Sequence, residues 1–216
     1  MFIPNHFSEE RIERLHALIR DNPFGLLVTH GASGLQASPL PFALFPDEGE
    51  FGVLRAHLSR ANPHWQEVDG ESDCLVMFQG ENGYVTPSWY PSKAQTHRQV
   101  PTWNYCAVEV RGTPTVIQDP AWLHGMLEHL VASHEGKRPH PWSLGDAATD
   151  YLDAQLKAIV GIEIPIRHIE GKWKMSQNKS EVDRLGVVEG LRDETDPHQN
   201  LRLADLVDER LRDSRS

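Results

Sequence analysis

The hydrophobic period of this chain changes at Phe24, and that change limits what it can fold into. Residues 8 to 21 place apolar groups at Ile12, Leu15, Leu18 and Ile19, a helical spacing, with Ser8 as N-cap and Glu9 and Glu10 in the first turn, until Asn22-Pro23 stops the pattern. From Phe24 the segments FGLLVTH, LQASPLPFALF and FGVLRAHL read as extended, joined by the turn signals GASG and PDEGE. A β-meander behind a short amphipathic helix is the expectation.

Asn62-Pro63 then starts a helical turn, an N-capping amide with proline at the first helical position. DCLVMFQG and GYV read as a hairpin through Glu81-Asn82-Gly83, and YCAVEVRGTPTVI as a long strand. Asp119-Pro120 opens a helix, a second is expected over residues 147–159, and VGIEIPIRHIEG returns to strand, with Pro165 at a sheet edge or a bulge. Ser180, with Asp183 three residues on, caps another helix, and a charged helix is expected near residues 200–212. Six or seven strands in hairpin order with helices between them predict an antiparallel, mainly β barrel with peripheral helices, not a parallel α/β sheet. The expected division is one domain over residues 1–190 with inserted helices and a helical tail over 191–216.

Composition narrows the function classes. A formal net charge of -10 repels a phosphate polymer, and Lys and Arg are scattered, so nucleic-acid binding would need a local basic patch that no run supplies. The apolar runs fall far short of the roughly 20 residues that span a bilayer, and MFIPNHFSEERIERL has no basic or apolar leader, so a cytoplasmic, non-membrane protein is expected. Cys74 and Cys106 each lie in an apolar strand and read as reduced core thiols. His124, His129, His134 and His140 show no ligand spacing, so no metal site is expected. GxGxxG, Walker and GxSxG signatures are absent, no catalytic side chain stands out, and any catalysis would come from a bound cofactor.

Three segments carry chemistry. In Leu58-Ser59-Arg60-Ala61-Asn62-Pro63-His64-Trp65 a strand ends as a helical turn begins, so backbone N–H groups, a hydroxyl and a guanidinium can converge on an anion such as a phosphate monoester; a plain capped turn with a solvated arginine reads equally from the pattern. Between Thr86 and Tyr105, two Trp, two Tyr and three Pro make a stiff, hydroxyl-rich surface suited to a flat heterocycle, or to an aromatic seam between subunits. Glu170-Gly171-Lys172-Trp173-Lys174-Met175-Ser176-Gln177-Asn178-Lys179-Ser180 ends a strand in amide, hydroxyl and ammonium donors, which a solvated loop would also contain.

The order of LSRANPHW, TPSWYPSK, VPTWNY and EGKWKMSQNKS behind the opening Met1-Phe2-Ile3-Pro4 resembles the PaiB family of FMN-binding negative transcriptional regulators, over roughly residues 1 to 190. The resemblance implies an FMN-binding split β-barrel related to pyridoxamine-phosphate oxidases and flavin reductases, forming a homodimer with two FMN sites between subunits. It implies Ser59, Arg60 and Asn62 near the phosphate, with Arg55 and His57 on the strand leading there. Ser88, Trp89, Lys93, Thr102 and Trp103 would approach the ribityl chain or ring, and Lys174, Ser176, Gln177 and Asn178 would reach in from the partner subunit.

Three functions follow as alternatives: a flavin-dependent redox protein, such as a flavin reductase or oxidoreductase; a regulator acting through partners or DNA; and a groove for another planar ligand such as haem or a deazaflavin. No helix-turn-helix with a basic recognition helix can be picked out, so the regulator label rests on the resemblance alone.

Overall fold

The computed structural model describes residues 1–213. In chain order its strands and α-helices are β1 (Ser8–Glu9), α1 (Ile12–Asp21), β2 (Phe24–Gly31), β3 (Gly34–Pro41), β4 (Ala43–Phe45), β5 (Val53–Ser59), β6 (Cys74–Val85), α2 (Lys93–Thr96) and β7 (Thr102–Gly112), followed by β8 (Thr115–Ile117), α3 (Pro120–Glu135), α4 (Thr149–Lys157), β9 (Ile159–Pro165), β10 (His168–Lys174), α5 (Glu181–Arg192) and α6 (Leu201–Asp213). A six-stranded sheet runs β1-β10-β7-β6-β2-β3 and a four-stranded sheet β4-β5-β9-β8. The fold is mainly β, antiparallel and carries peripheral helices, as expected, and the described residues form two sheets rather than one closed ring.

The chain divides into two compact units. One comprises Ile12–Phe78 and Glu109–Ile169. In it β2 and β3 make the hairpin anticipated at GASG, with Gly34 at φ 96°, where a side chain would be strained. In β5, Leu54, Ala56 and Leu58 point into the core while Arg55, His57 and Ser59 form the opposite row. Leu123 and Met126 of α3 pack with Leu156 of α4. Gly161 of β9 admits α3: a Cβ there would lie 2.3 Å from the Trp122 ring.

The other unit comprises Met1–Arg11, Gln79–Val108 and the chain from Glu170 onward. Its core pairs α5 with α6 through buried Val187, Val188 and Leu191 against Leu203, Ala204 and Val207. Ser180 caps α5 by accepting from Asp183 N, as its spacing predicts.

Three local expectations change. Ser8 does not cap α1: Ser8 and Glu9 pair with Lys172 and Gly171 as β1, and the Glu9 carboxylate accepts from Arg11 N at 3.0 Å, so the helix starts at Ile12. Glu81-Asn82-Gly83 is no hairpin, because β6 runs unbroken. Gly83 lacks the positive φ that a tight hairpin turn requires; its missing side chain instead leaves room for Leu203, 2.7 Å from where a Cβ would stand. Pro165 ends β9, which lies between β5 and β8 rather than at an edge; the proline is tolerated because the ladder stops there. Cys74 and Cys106 are buried free thiols, with burial raising their pKa values to about 12 and about 11. Among the described residues no helix is long and apolar enough to cross a membrane.

Candidate functional site

The strand end of β5 is built around a buried histidine. His64, 1% exposed, hydrogen-bonds through Nε2 to Thr29 Oγ1 at 2.8 Å and through Nδ1 to Ser38 Oγ at 2.7 Å. Asn62 Nδ2 also donates to Ser38 Oγ, at 3.3 Å, while Asn62 Oδ1 accepts from His64 N as the cap of the 3-10 turn Pro63–Glu67. Burial pushes the His64 pKa down, against a smaller upward pull from Glu67. The network locks the turn onto β2 and β3, so Asn62 holds the loop's shape.

Arg60 is anchored from the other side. Its Nε donates to Lys157 O at 2.9 Å, one terminal nitrogen to Gln118 Oε1 at 2.7 Å and the other to Ile159 O at 3.1 Å. Three of five guanidinium N–H groups are thereby engaged, and two remain for an anion. Ser59 is exposed; its Oγ accepts from Ala61 N at 3.3 Å, so its own proton is free to be donated. The backbone N–H groups of Arg60, Ala61, Asn62 and His64 are all engaged within the protein, so the donors left for an anion are on side chains.

Two residues up the same row, His57 has a buried Nδ1 with no partner, and burial lowers its pKa, keeping it neutral near pH 7. Arg55 is committed elsewhere, bound to Glu163 at 2.7 Å and Glu48 at 2.7 Å and stacked over the Phe45 ring at 4.1 Å.

The second and third segments meet in the other unit. Lys174 Nζ donates to Thr102 Oγ1 at 2.5 Å and to Trp103 O, and among the described residues no carboxylate pairs with it. Burial, then the nearby Lys172 and Lys179, lower its pKa. Below this ammonium, Asn104 and Ser176 bond side chain to side chain at 3.0 Å in full burial, with Ser176 held at φ 61°. Gln177 folds back on its own strand, accepting from Met175 N at 2.6 Å and donating to Trp173 O; Asn178 is exposed.

Trp103 is 54% exposed and meets Tyr84 edge-on at 6.2 Å, whereas the Trp89 indole lies against Gly190 and donates to Asp196 at 3.2 Å. Ser88 and Lys93, with Tyr90 and His97, line a cavity of about 360 Å3. The Tyr90 ring is almost wholly buried, and burial pushes its hydroxyl pKa up against a smaller opposing interaction with the Ser176 side chain.

The orphaned His57 nitrogen and the two spare Arg60 N–H groups, within one unit, suit a phosphorylated ligand; Lys174, in the other unit, is a separate cationic donor. A family described as "Putative FMN-binding domain" matches residues 1–168. The protein PAI 2 of Bacillus subtilis, "Protease synthase and sporulation protein PAI 2", is 31% identical over 98% of this chain and 99% of its own. The chain belongs to the PaiB-type FMN-binding family.

Another relative of this PaiB-type chain is the uncharacterized protein AN0679 of Emericella nidulans, 35% identical over 88% of this chain and 90% of its own. Among solved structures the fold is shared by an FAD and heme binding protein from Mycobacterium smegmatis, with TM-score 0.59, 18% identity and coverage of 77% of this chain and 73% of that one. The flavocytochrome Anf3 from Azotobacter vinelandii matches with TM-score 0.55, 16% identity and coverage of 77% and 69%. PaiB-type sequence reasoning missed Thr29, Ser38, His64 and Gln118. Thr29 and Ser38 were legible as polar residues at inward strand positions, which demand a buried partner; nothing in the sequence marks Gln118.

Proposed function

We propose that this protein is a homodimeric flavoprotein binding FMN, with Ser59 and Arg60 on the phosphate. The observation that carries the reading is the end of β5, where a free hydroxyl proton, two unengaged guanidinium N–H groups and an unpartnered His57 nitrogen occur within one short stretch. The family description supports flavin binding.

In this reading Asn62 acts through His64 to hold the loop, and Arg55 stiffens β5 from its ion pairs with Glu48 and Glu163. Thr102, Trp103, Ser88, Trp89 and Lys93 approach the ribityl chain or ring, Trp103 offering the exposed aromatic face. Lys174, Ser176, Gln177 and Asn178 reach the flavin from the second subunit, Lys174 as a positive charge toward a carbonyl or phosphate oxygen. When bound, FMN supplies electron and hydride transfer; the protein supplies orientation and electrostatics. The protein works in the cytoplasm, where buried Cys74 and Cys106 stay reduced.

The test is an absorption spectrum of purified protein, then titration of ligand-free protein with FMN, FAD and haem. Saturable quenching of FMN fluorescence, with weaker binding of FAD and haem, is expected; protein that takes up haem but no flavin would overturn the reading. The resemblance to the PaiB family motivates a second reading, a regulatory role through partners or DNA. Retention of promoter DNA that falls steeply with salt would support direct contact, which the net charge of -10 disfavours.

A further inference from the structure

The net charge of -10 is unevenly spread along the chain. No Asp or Glu occurs from Asn82 to Val108, nor from Gly171 to Ser180, and these two stretches carry Lys93, Arg98, Lys172, Lys174 and Lys179. Both belong to one compact unit, so the fold gathers cations that the sequence spaces apart. Lys172 and Lys179 act electrostatically on Lys174, and the Lys179 ammonium lies 4.9 Å from the centre of the Tyr90 ring.

Tyr90 is also a wall of the cavity of about 360 Å3 in this unit. Tyr90, Pro91 and Ala94 line it with apolar surface, while Ser88, Lys93 and His97 bring a hydroxyl, an ammonium and an imidazole; among the described residues no carboxylate lines it. The loop that carries Lys93 and His97 is pinned at both ends. Ser92 donates to the Asp183 carboxylate from its N at 3.0 Å and its Oγ at 2.8 Å. Gln99 Nε2 donates to Ser92 Oγ at 2.8 Å and to Asp183 at 3.3 Å, and Gln99 Oε1 accepts from Lys179 at 2.6 Å. Asp183 is buried and its oxygens are taken up by the base of the loop, which leaves Lys93 unneutralised. Among the described residues no salt bridge involves Lys93, His97 or Arg98. His97 is held at φ 54°, a strained conformation of the kind that loops built for ligands retain.

We propose that this cavity binds a small monocarboxylate with an apolar body, the substrate that meets the flavin. The inference rests on the functional reading, which sets Ser88 and Lys93 beside the ribityl chain or ring, for the role of substrate; the affinity for a carboxylate follows from the cavity's own groups.

The donors select the class. An anion is repelled by most of a surface that carries -10, and an acid-free, cationic cavity is where it would settle. Every backbone N–H from Ser88 to Arg98 is engaged within the protein, Pro91 having none, so no backbone cradle is left for a doubly charged phosphate. One ammonium with a hydroxyl and an imidazole matches the single charge and two oxygens of a carboxylate. Apolar walls and a volume at the small end of the roughly 300–1,000 Å3 usual for ligand pockets call for a compact apolar body behind it.

The experiment is calorimetric titration of the full chain, freed of flavin, with benzoate, with benzamide as its uncharged counterpart, and with inorganic phosphate. Benzoate is expected to saturate one site per chain, with benzamide about 10-fold or more weaker and phosphate weaker than benzoate. Lys93→Met should weaken benzoate about 10-fold or more and Lys93→Arg should restore most of the affinity; Lys93 is exposed, and circular dichroism and thermal melting check that both variants fold. Equal binding of benzoate and benzamide, tighter binding of phosphate, or a folded Lys93→Met with unchanged affinity would overturn the proposal, as would displacement of benzoate by FMN mole for mole, which would make the cavity the flavin's own. FMN quenching on the same samples separates the two readings. Benzoate bound by protein that takes up no flavin keeps the carboxylate site and removes the cofactor; flavin bound by protein indifferent to benzoate does the reverse.

Discussion

Arg60 shows how one residue can be both scaffold and ligand. Its fork clamps two backbone carbonyls and Gln118, fixing the guanidinium without side-chain disorder, and two N–H groups stay open. Arg60→Ala is expected to weaken FMN binding by about 1 to 3 kcal/mol in a fluorescence titration, the range for losing a charge-assisted partner. Arg60→Lys should rescue little of it, since an ammonium cannot span the three acceptors. Lys174 makes a pH-dependent prediction. Burial and the neighbouring Lys172 and Lys179 lower its pKa, so its charge is lost as pH rises through a value below the ordinary lysine range. FMN affinity should fall as pH is raised toward about 10, and Lys174→Met should flatten that dependence.

Elements here are positioned by what glycine leaves out. α5 can lie against the turn Pro87–Trp89 because Gly190 has no Cβ; one would stand 2.4 Å from the Trp89 indole. Gly190→Ala should destabilise the fold by about 1 to 3 kcal/mol in urea denaturation through overpacking, although alanine is the better helix former. The turn after β5 depends on a cap and a buried network together. Asn62→Ala removes the acceptor of His64 N and a donor to Ser38, and a loss of about 1 to 2 kcal/mol is expected, accompanied by weaker FMN binding. A purely structural role would lower stability and leave flavin affinity unchanged.

For the whole molecule, acid is the weak side. Burial alone would raise the Glu9 pKa, but hydrogen bonds from Arg11 and the charge of Arg210 prevail and hold it at about 2 instead of 4.5. The folded state therefore binds this proton less readily than the unfolded chain, and the stabilisation present above pH 4.5 is lost as pH falls toward 2. His57 and His64, both lowered by burial, act in the same sense at higher pH: below about 6.5 the unfolded chain takes up protons that the folded one resists. Thermal melting should decline in two steps, one beginning near pH 6.5 and one below about 4.5. Glu9→Gln should shrink the lower step without removing it, because Asp69 and Asp183 are also held below the ordinary carboxylate range by hydrogen bonds.

Much of this architecture was legible in local chemistry. The period change at Phe24, the caps at Asn62, Asp119 and Ser180 and the strand ending in Ser59-Arg60 each depend on neighbours a few residues apart, and the structure contains all of them. What misled was local signal with a tertiary cause: Gly83 resembled a turn and proved to be clearance for Leu203, and Ser8 resembled a cap and proved to be a strand partner of Lys172. The commitments of the candidate site are likewise tertiary. Whether Arg60 is solvated or clamped, and whether Asn62 is free for a ligand or bound to the His64 network, depends on Lys157, Gln118, Thr29 and Ser38, which lie 24 or more residues away in sequence. A side chain's chemistry is written in its own residue, but its unsatisfied bonds are decided only by which distant groups the fold brings within 3 Å or so.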